Sequence, residues 1–329
     1  MKVDLWREPI SGEAVQSNGL VYVGDAALVS DARPDVESAY PRAPLNYRAG
    51  WGYLLLTNLL PNSGNGTFRL HAIAHNKAGI ATDLGVHTIS VDNAHASKPF
   101  GTIDTPAPND TISGNAYVNF GWALTQNPYM IPTDGSTLTV YVDGVPIGLP
   151  RYNQYRFDIA TLFPGLANSD GAVGFFYLDT TQLSNGVHTI AWSVFDSANR
   201  GDGIGRRYFT VENTGTGSVT DSVTPLPSRA VTLRRGFDIR REAESLSHDE
   251  TGKYVIHMEE LDGIELQVGA MKGHFVMSGE LRPLPTGSAL NDGTFYWQAA
   301  PGFLGEYELL FERSDAAPVH VRLVIHPKN

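Results

Sequence analysis

The chain has 329 residues, of which 42% are hydrophobic and 10% aromatic, enough for two or three units that each bury a core. A net charge of −11 excludes the basic stripe that nucleic acid requires and works against an anionic membrane surface. With no cysteine there are no disulfides and no thiolate sites, and neither redox compartment is excluded.

No stretch approaches the run of about 18 apolar residues that spans a bilayer. Residues 1–16 hold no hydrophobic segment of the signal-peptide kind. Any export signal is expected on a part of the chain outside this sequence.

Residues 2–5 and 20–23 read as short strands, with a loop from Gly12 to Gly24 around the second. Residues 33–41, set between prolines, predict one or two turns of helix, and residues 52–57 a buried strand. Residues 65–74 then alternate as a strand, and the hairpin they open closes at residues 91–93.

The same pattern returns as residues 185–194 and 211–213. Asn65 and Asn185 lie 120 residues apart, as do Asn93 and Asn213, with no gap between. This is an internal repeat. The counterpart of 33–41 is 158–164, with the same Asp, apolar residue and closing Pro; Gly52 is matched to Gly174, and Val3-Asp4-Leu5 to the strand beginning at Leu138.

Ahead of Leu138 the second copy carries two more strands, at 101–106 and 116–123, around the turn 109–114. The first copy has no room for them. It is expected either to begin mid-module or to be completed by strands of another copy, which would build filaments. In the repeated strand, Ile190, Trp192 and Val194 form the core face, with Ser193 on the solvent side. Phe120, Trp122 and Trp297 are expected in the cores as well.

Residues 214–225 are rich in Gly, Ser and Thr and read as a linker. The expected division is 1–96, 97–213, a linker at 214–228, and 229–329. Limited proteolysis is expected to cut in the linker and release 226–329 as a folded piece. Strands in that last part fall at 254–258, 264–268, 293–297, 307–311 and 319–325.

The stretches GTIDTPAPNDTISG, VNFGWAL, PTDGSTLTVYVDG, NGVHTIAWSVFD and DGIGRRYFTVEN resemble the tandem Ig-like modules of large bacterial exported proteins. The likeness is close over 97–213 and covers 2–93 as a variant with longer loops. DGTFYWQAAPGFLGEYELLF is similar to the Ig/cadherin-like bacterial modules, which share a G-x-F-x-W strand followed by a P-G-F-x-G turn. The resemblance implies three β-sandwiches, the first incomplete, in an extracellular or cell-surface chain, with no catalytic residues to carry over.

Candidate chemistry is sparse. His71 and His75 lie on one face of a strand and could share a metal, but their repeat counterparts Ala191 and Phe195 point to an ordinary outer face. Asp104, Asp110, Asp134, Asp143 and Asp170 fall in turns. Cadherin-like modules use such carboxylates for calcium, yet turn-forming Asp, bonding its own backbone, accounts for them equally. Arg200-Gly201-Asp202 is an adhesive tripeptide in a hairpin, where a tight turn wants the same residue types.

No HExxH, GxSxG or Cys/His constellation is present. Taken with the resemblance, this implies a non-catalytic structural or adhesive segment whose partners are other protein modules or copies of itself. The alternative is a carbohydrate-binding accessory module, with Trp6, Trp51, Tyr152, Tyr155 and Phe157 as candidate sugar-stacking aromatics.

Overall fold

Alternating apolar and polar residues, with aromatic and β-branched side chains at the inward positions, drive most of this chain into strands. The computed structural model describes residues 1–214, 230–238, 241–314 and 316–328. All but the first residue of the expected linker lies outside them.

The first copy forms β1 (Lys2–Arg7), β2 (Val21–Val29), β3 (Gly50–Gly52), β4 (Asn65–His75) and β5 (Ala81–Asp92), in one sheet of order β3-β2-β1-β4-β5. The second copy adds three strands in front: β6 (Phe100–Ile103), β7 (Thr111–Ile112) and β8 (Tyr117–Leu124). After them come β9 (Leu138–Val142), β10 (Val145–Gly148), β11 (Arg151–Gln154), β12 (Val173–Leu178), β13 (Gly186–Phe195) and β14 (Gly201–Val211). These nine strands make two sheets, β11-β12-β8-β6 and β10-β9-β13-β14-β7.

The C-terminal part begins with β15 (Thr232–Arg235), β16 (Glu244–Ser245), β17 (Lys253–Glu259), β18 (Gly263–Gln267) and β19 (Lys272–Met277). It ends with β20 (Glu280–Arg282), β21 (Ser288–Asn291), β22 (Thr294–Gln298), β23 (Gly305–Glu312) and β24 (Val319–His326). Its sheets are β16-β15-β18-β22-β21 and β17-β24-β23-β19-β20. Both two-sheet units thus follow the immunoglobulin strand order, and in each an early strand pairs parallel with the last one.

The repeat holds down to the hydrogen-bond register. Leu70 pairs with His87 and Ile73 with Asp83; 120 residues on, Ile190 pairs with Arg207 and Ser193 with Gly203, across the same irregularity. The short helix Pro34–Ala39 answers to Phe157–Leu162, and the turn Thr57–Leu59 to Thr180–Gln182, each pair 123 residues apart. That spacing sets Gly52 opposite Phe175, one residue from the Gly174 that the sequence match suggested. In the first copy β2 runs unbroken, pairing with β1 and then with β3. In the second, that path is split between β10 and β11.

Trp192, Ile190 and Val194 are fully buried in the middle core, as the alternation implies. The indole lies over the cross-strand pair Gly121–Gly174, where added Cβ atoms would come within 3.1 and 3.3 Å of its ring. Its Nε1 donates to Asn119 Oδ1 at 2.7 Å.

Because Asn119 and Gly121 occupy the inner side of β8, Phe120 faces outward and is 40% exposed, contrary to its expected core position. Trp122 is buried, but on that same outer face, against Phe100 and Phe163. Trp297 does lie in the C-terminal core, with Phe303 of the following turn edge-on to it at 5.2 Å.

The three units share a buried seam. Tyr307 Oη donates to Ala32 O at 2.7 Å, and Tyr208 Oη to Pro301 O at 3.1 Å. Arg206 donates to Leu261 O and Ala299 O, and Arg282 pairs with both Asp31 and Glu37. Val29, Ala32 and Tyr208 are built into the C-terminal hydrophobic core. Ser193, expected at solvent, is 1% exposed. Its strand face lies under the C-terminal unit, whose Phe237 ring sits against Gly203 and Tyr141. A linker cut alone is therefore not expected to free the last unit.

Candidate functional site

The outward side of the sheet β11-β12-β8-β6 is apolar along its length. At one end the helix Phe157–Leu162 and its following loop cover it, and Trp122 packs there with Phe163 at 5.2 Å. The other end is open. Phe120 and Phe175 are cross-strand partners with ring centroids 6.0 Å apart, and Tyr177 sits edge-on to Phe175 at 5.6 Å.

Tyr177 is 54% exposed, and the Arg151 guanidinium stands 6.0 Å above the Phe175 ring. Tyr155, Gln154 and Arg156 rim a shallow trough of about 310 Å³ beside these rings. Aromatic faces with polar rims suit ligands that are apolar on one side and hydroxylated on the other.

Of the aromatics proposed from sequence, Tyr155 and Phe157 are exposed near this surface. Tyr152 is not available: it is buried and its Oη donates to Ala123 O. Trp51 packs on the core of the first sheet, and Trp6 is edge-on to Tyr22 on the opposite side of that sheet. Phe120, Phe175 and Tyr177 escaped sequence reading because a buried strand and an apolar outer face look alike when both alternating sets are aromatic. The signal that could have found them is the Gly121–Gly174 pair, which marks the inner side of each strand.

Most of the remaining candidates already have partners within the chain. His71 Nδ1 lies 2.9 Å from Asp83, and His75 Nε2 lies 2.8 Å from Asp4, so the two rings have separate carboxylate partners. Among the described residues no group of three metal-ligating side chains is brought together. Asp110 accepts from Ala107 N and Asp134 from Ser136 N, each closing its own turn, while Asp104 pairs with Arg156. Arg200 is held by Asp196 and lies 3.7 Å over the Tyr129 ring, and Asp202 pairs with Lys98. Gly201 already belongs to β14, so the tripeptide is not the tip of a free loop.

Asp143 has a structural role that sequence reading missed. It meets the buried ring of His188 at 2.5 Å, while the other ring nitrogen lies 2.9 Å from Ser184 O. With an acceptor at each nitrogen, the ring is held as imidazolium. Burial works against that charge, but the bonds to Asp143 and Ser184 outweigh it and raise the pKa above 6.5. The pair therefore stabilises the fold fully below the unfolded value of about 6.5, and the contribution is lost as pH rises through the folded value. Urea midpoints of the wild type should fall as pH rises above about 6.5, and His188→Gln should flatten that slope. An unchanged slope in the variant would contradict the assignment.

No helix in the described residues is long and apolar enough to cross a membrane. No protein-family model matches the chain, and no curated protein matches it. Among solved structures it is similar to the fibronectin(III)-like modules of Clostridium thermocellum CbhA, at 13% identity over 64% of this chain and 78% of that one, TM-score 0.22. It is also similar to the Bacteroides ovatus SGBP-B of a mixed-linkage glucan utilization locus, in complex with a mixed-linkage heptasaccharide (10%, 80% and 54%, 0.21). A third is the N-terminal eight Ig domains of the Down Syndrome Cell Adhesion Molecule (7%, 82% and 32%, 0.25). The chain spans less than two thirds of the length of the last two. The immunoglobulin-like β-sandwich architecture therefore stands on the strand order itself.

Proposed function

We propose that this chain is a non-catalytic structural or adhesive segment of a bacterial extracellular or cell-surface protein. In this reading residues 1–96, 97–213 and 229–329 are three Ig-like units, the first without counterparts of β6 and β8, and their role is to hold a fixed geometry and present surfaces. The observation that carries it is the seam. A chain of independent beads has no need to place Ala32 and Tyr208 in the core of a third unit, whereas a spacer that must keep its shape does.

A protease site engineered between Asn213 and Val231 tests it. After cutting, the two fragments should run together on a sizing column and part only in denaturant. Release of a free C-terminal piece in native buffer would defeat the rigid-spacer reading.

The open aromatic surface favours a second reading, a carbohydrate-binding accessory module. Phe120, Phe175 and Tyr177 supply stacking faces, with Gln154 and Arg156 as polar neighbours. Retention on insoluble polysaccharides that is lost in the double variant Phe175→Ala/Tyr177→Ala, with an unchanged melting temperature, would support it. No retention on any polysaccharide by the wild type would remove it.

A further inference from the structure

The inner face of the first sheet does not look onto a second sheet of its own. Its β2 side borders a cavity of about 360 Å³ that the middle and C-terminal units line from across. Val21 and Val23 of β2, with Leu54, Leu56 and Leu60 after β3, make the apolar wall. Arg206, Arg207, Tyr208 and Pro301 close the far side.

The charges on that far side are unusual. Arg206 is 5% exposed and, among the described residues, its hydrogen bonds go to carbonyl oxygens, those of Leu261 and Ala299. Arg207 bonds to Pro106 O, Asp104 O and the Thr102 hydroxyl. The Nε of each is buried without a partner among the described residues. Neither guanidinium has a carboxylate within ion-pairing distance among those residues; Asp202, Asp262 and Glu260 act on Arg206, and Asp104 and Asp110 on Arg207, only from farther away.

A buried, unpaired charge is costly, and an occupant that answers it is correspondingly favoured. Burial pulls the Arg206 pKa down to about 10 and lowers that of Arg207 as well, against the opposing effect of those more distant carboxylates.

The other ionised groups of the lining have partners of their own, Asp25 sharing Lys2 with Asp4. Arg7 is paired with Glu13, whose carboxyl it holds down at about 2, and Asp25 lies 3.5 Å from Lys2. What remains is a leucine- and valine-lined chamber with a cationic end.

We propose that this chamber binds an amphipathic monocarboxylate, its carboxylate on Arg207 and Arg206 and its apolar body against Val23 and Leu54–Leu60. A guanidinium offers parallel N–H donors to a carboxylate, and both arginines line the chamber. A bare inorganic anion would leave the apolar wall unused, and a neutral chain would leave the arginines unpaired.

Calorimetric titration of the full chain with decanoate, decanol and inorganic phosphate tests this. Decanoate should bind one to one, and the other two at least tenfold more weakly, since a charge-assisted hydrogen bond carries about 1.5–3 kcal/mol. Arg207→Met should weaken decanoate by roughly ten- to a hundredfold. Because that variant could also disturb folding, Val23→Trp serves as a second arm. It fills the chamber from the opposite wall, and should abolish binding while the protein stays folded by circular dichroism. Absence of decanoate binding, equal binding of decanol, or unaltered binding in a folded Val23→Trp would each overturn the proposal.

Discussion

Trp192→Ala is expected to destabilise the middle sandwich by about 3–5 kcal/mol, the range for truncating a fully buried large aromatic side chain. Three effects act together. The indole leaves a cavity that the Gly121–Gly174 floor cannot fill, because neither residue has a side chain to move into it. Asn119, itself fully buried, loses the donor for its Oδ1. Ile190 and Val194 lose the neighbour they flank on β13.

The control is Phe120→Ala, one position from Asn119 but on the open face, which should change the melting temperature little. Similar losses in the two variants, read in one urea series, would mean that the register of β8 is misassigned.

Gly52→Val should damage the seam without entering any core. A Cβ built on Gly52 would lie 2.2 Å from the Pro301 carbonyl carbon and 2.5 Å from Gly302 N, both backbone atoms of the C-terminal unit. Backbone cannot swing aside as a flexible side chain can, so the first and third units must separate locally. Overpacking of this kind costs about 1–3 kcal/mol, and here it should also disturb the nearby Tyr307–Ala32 hydrogen bond. Thermal unfolding followed by tryptophan fluorescence should show a lower or split transition. A variant as stable as the wild type would show that Gly52 and Pro301 are not in contact.

Much of the fold was legible in the sequence, for a physical reason. The repeat is dense in local constraints, such as the Asn-Gly start of β4 and β13 and the alternation of Ile190, Trp192 and Val194, so matching letters carried matching register. The seam was not legible. Ser193 reads as a surface position of a half-buried strand, and only the partner unit decides that it is covered.

The candidate surface was half legible. Exposed Tyr155 and Phe157 were found as loop aromatics, whereas Phe120 was placed in the core because its strand is apolar on both sides. The arginine chamber left no trace in sequence beyond the Arg206-Arg207 pair in a β14 strand otherwise rich in small and apolar residues. Its apolar wall comes from β2 and the segment after β3, far away in the chain.

The account turns on the three units forming one rigid body. Because the chain has no cysteine, a pair installed at exposed Lys77 and Asn291 can carry spin labels at just those two points, one in the first unit and one in the third. Double electron–electron resonance on the Lys77→Cys/Asn291→Cys protein should give a single narrow distance distribution, which Gly52→Val broadens. A broad distribution in the protein without Gly52→Val would mean that the units move independently, and would contradict the account.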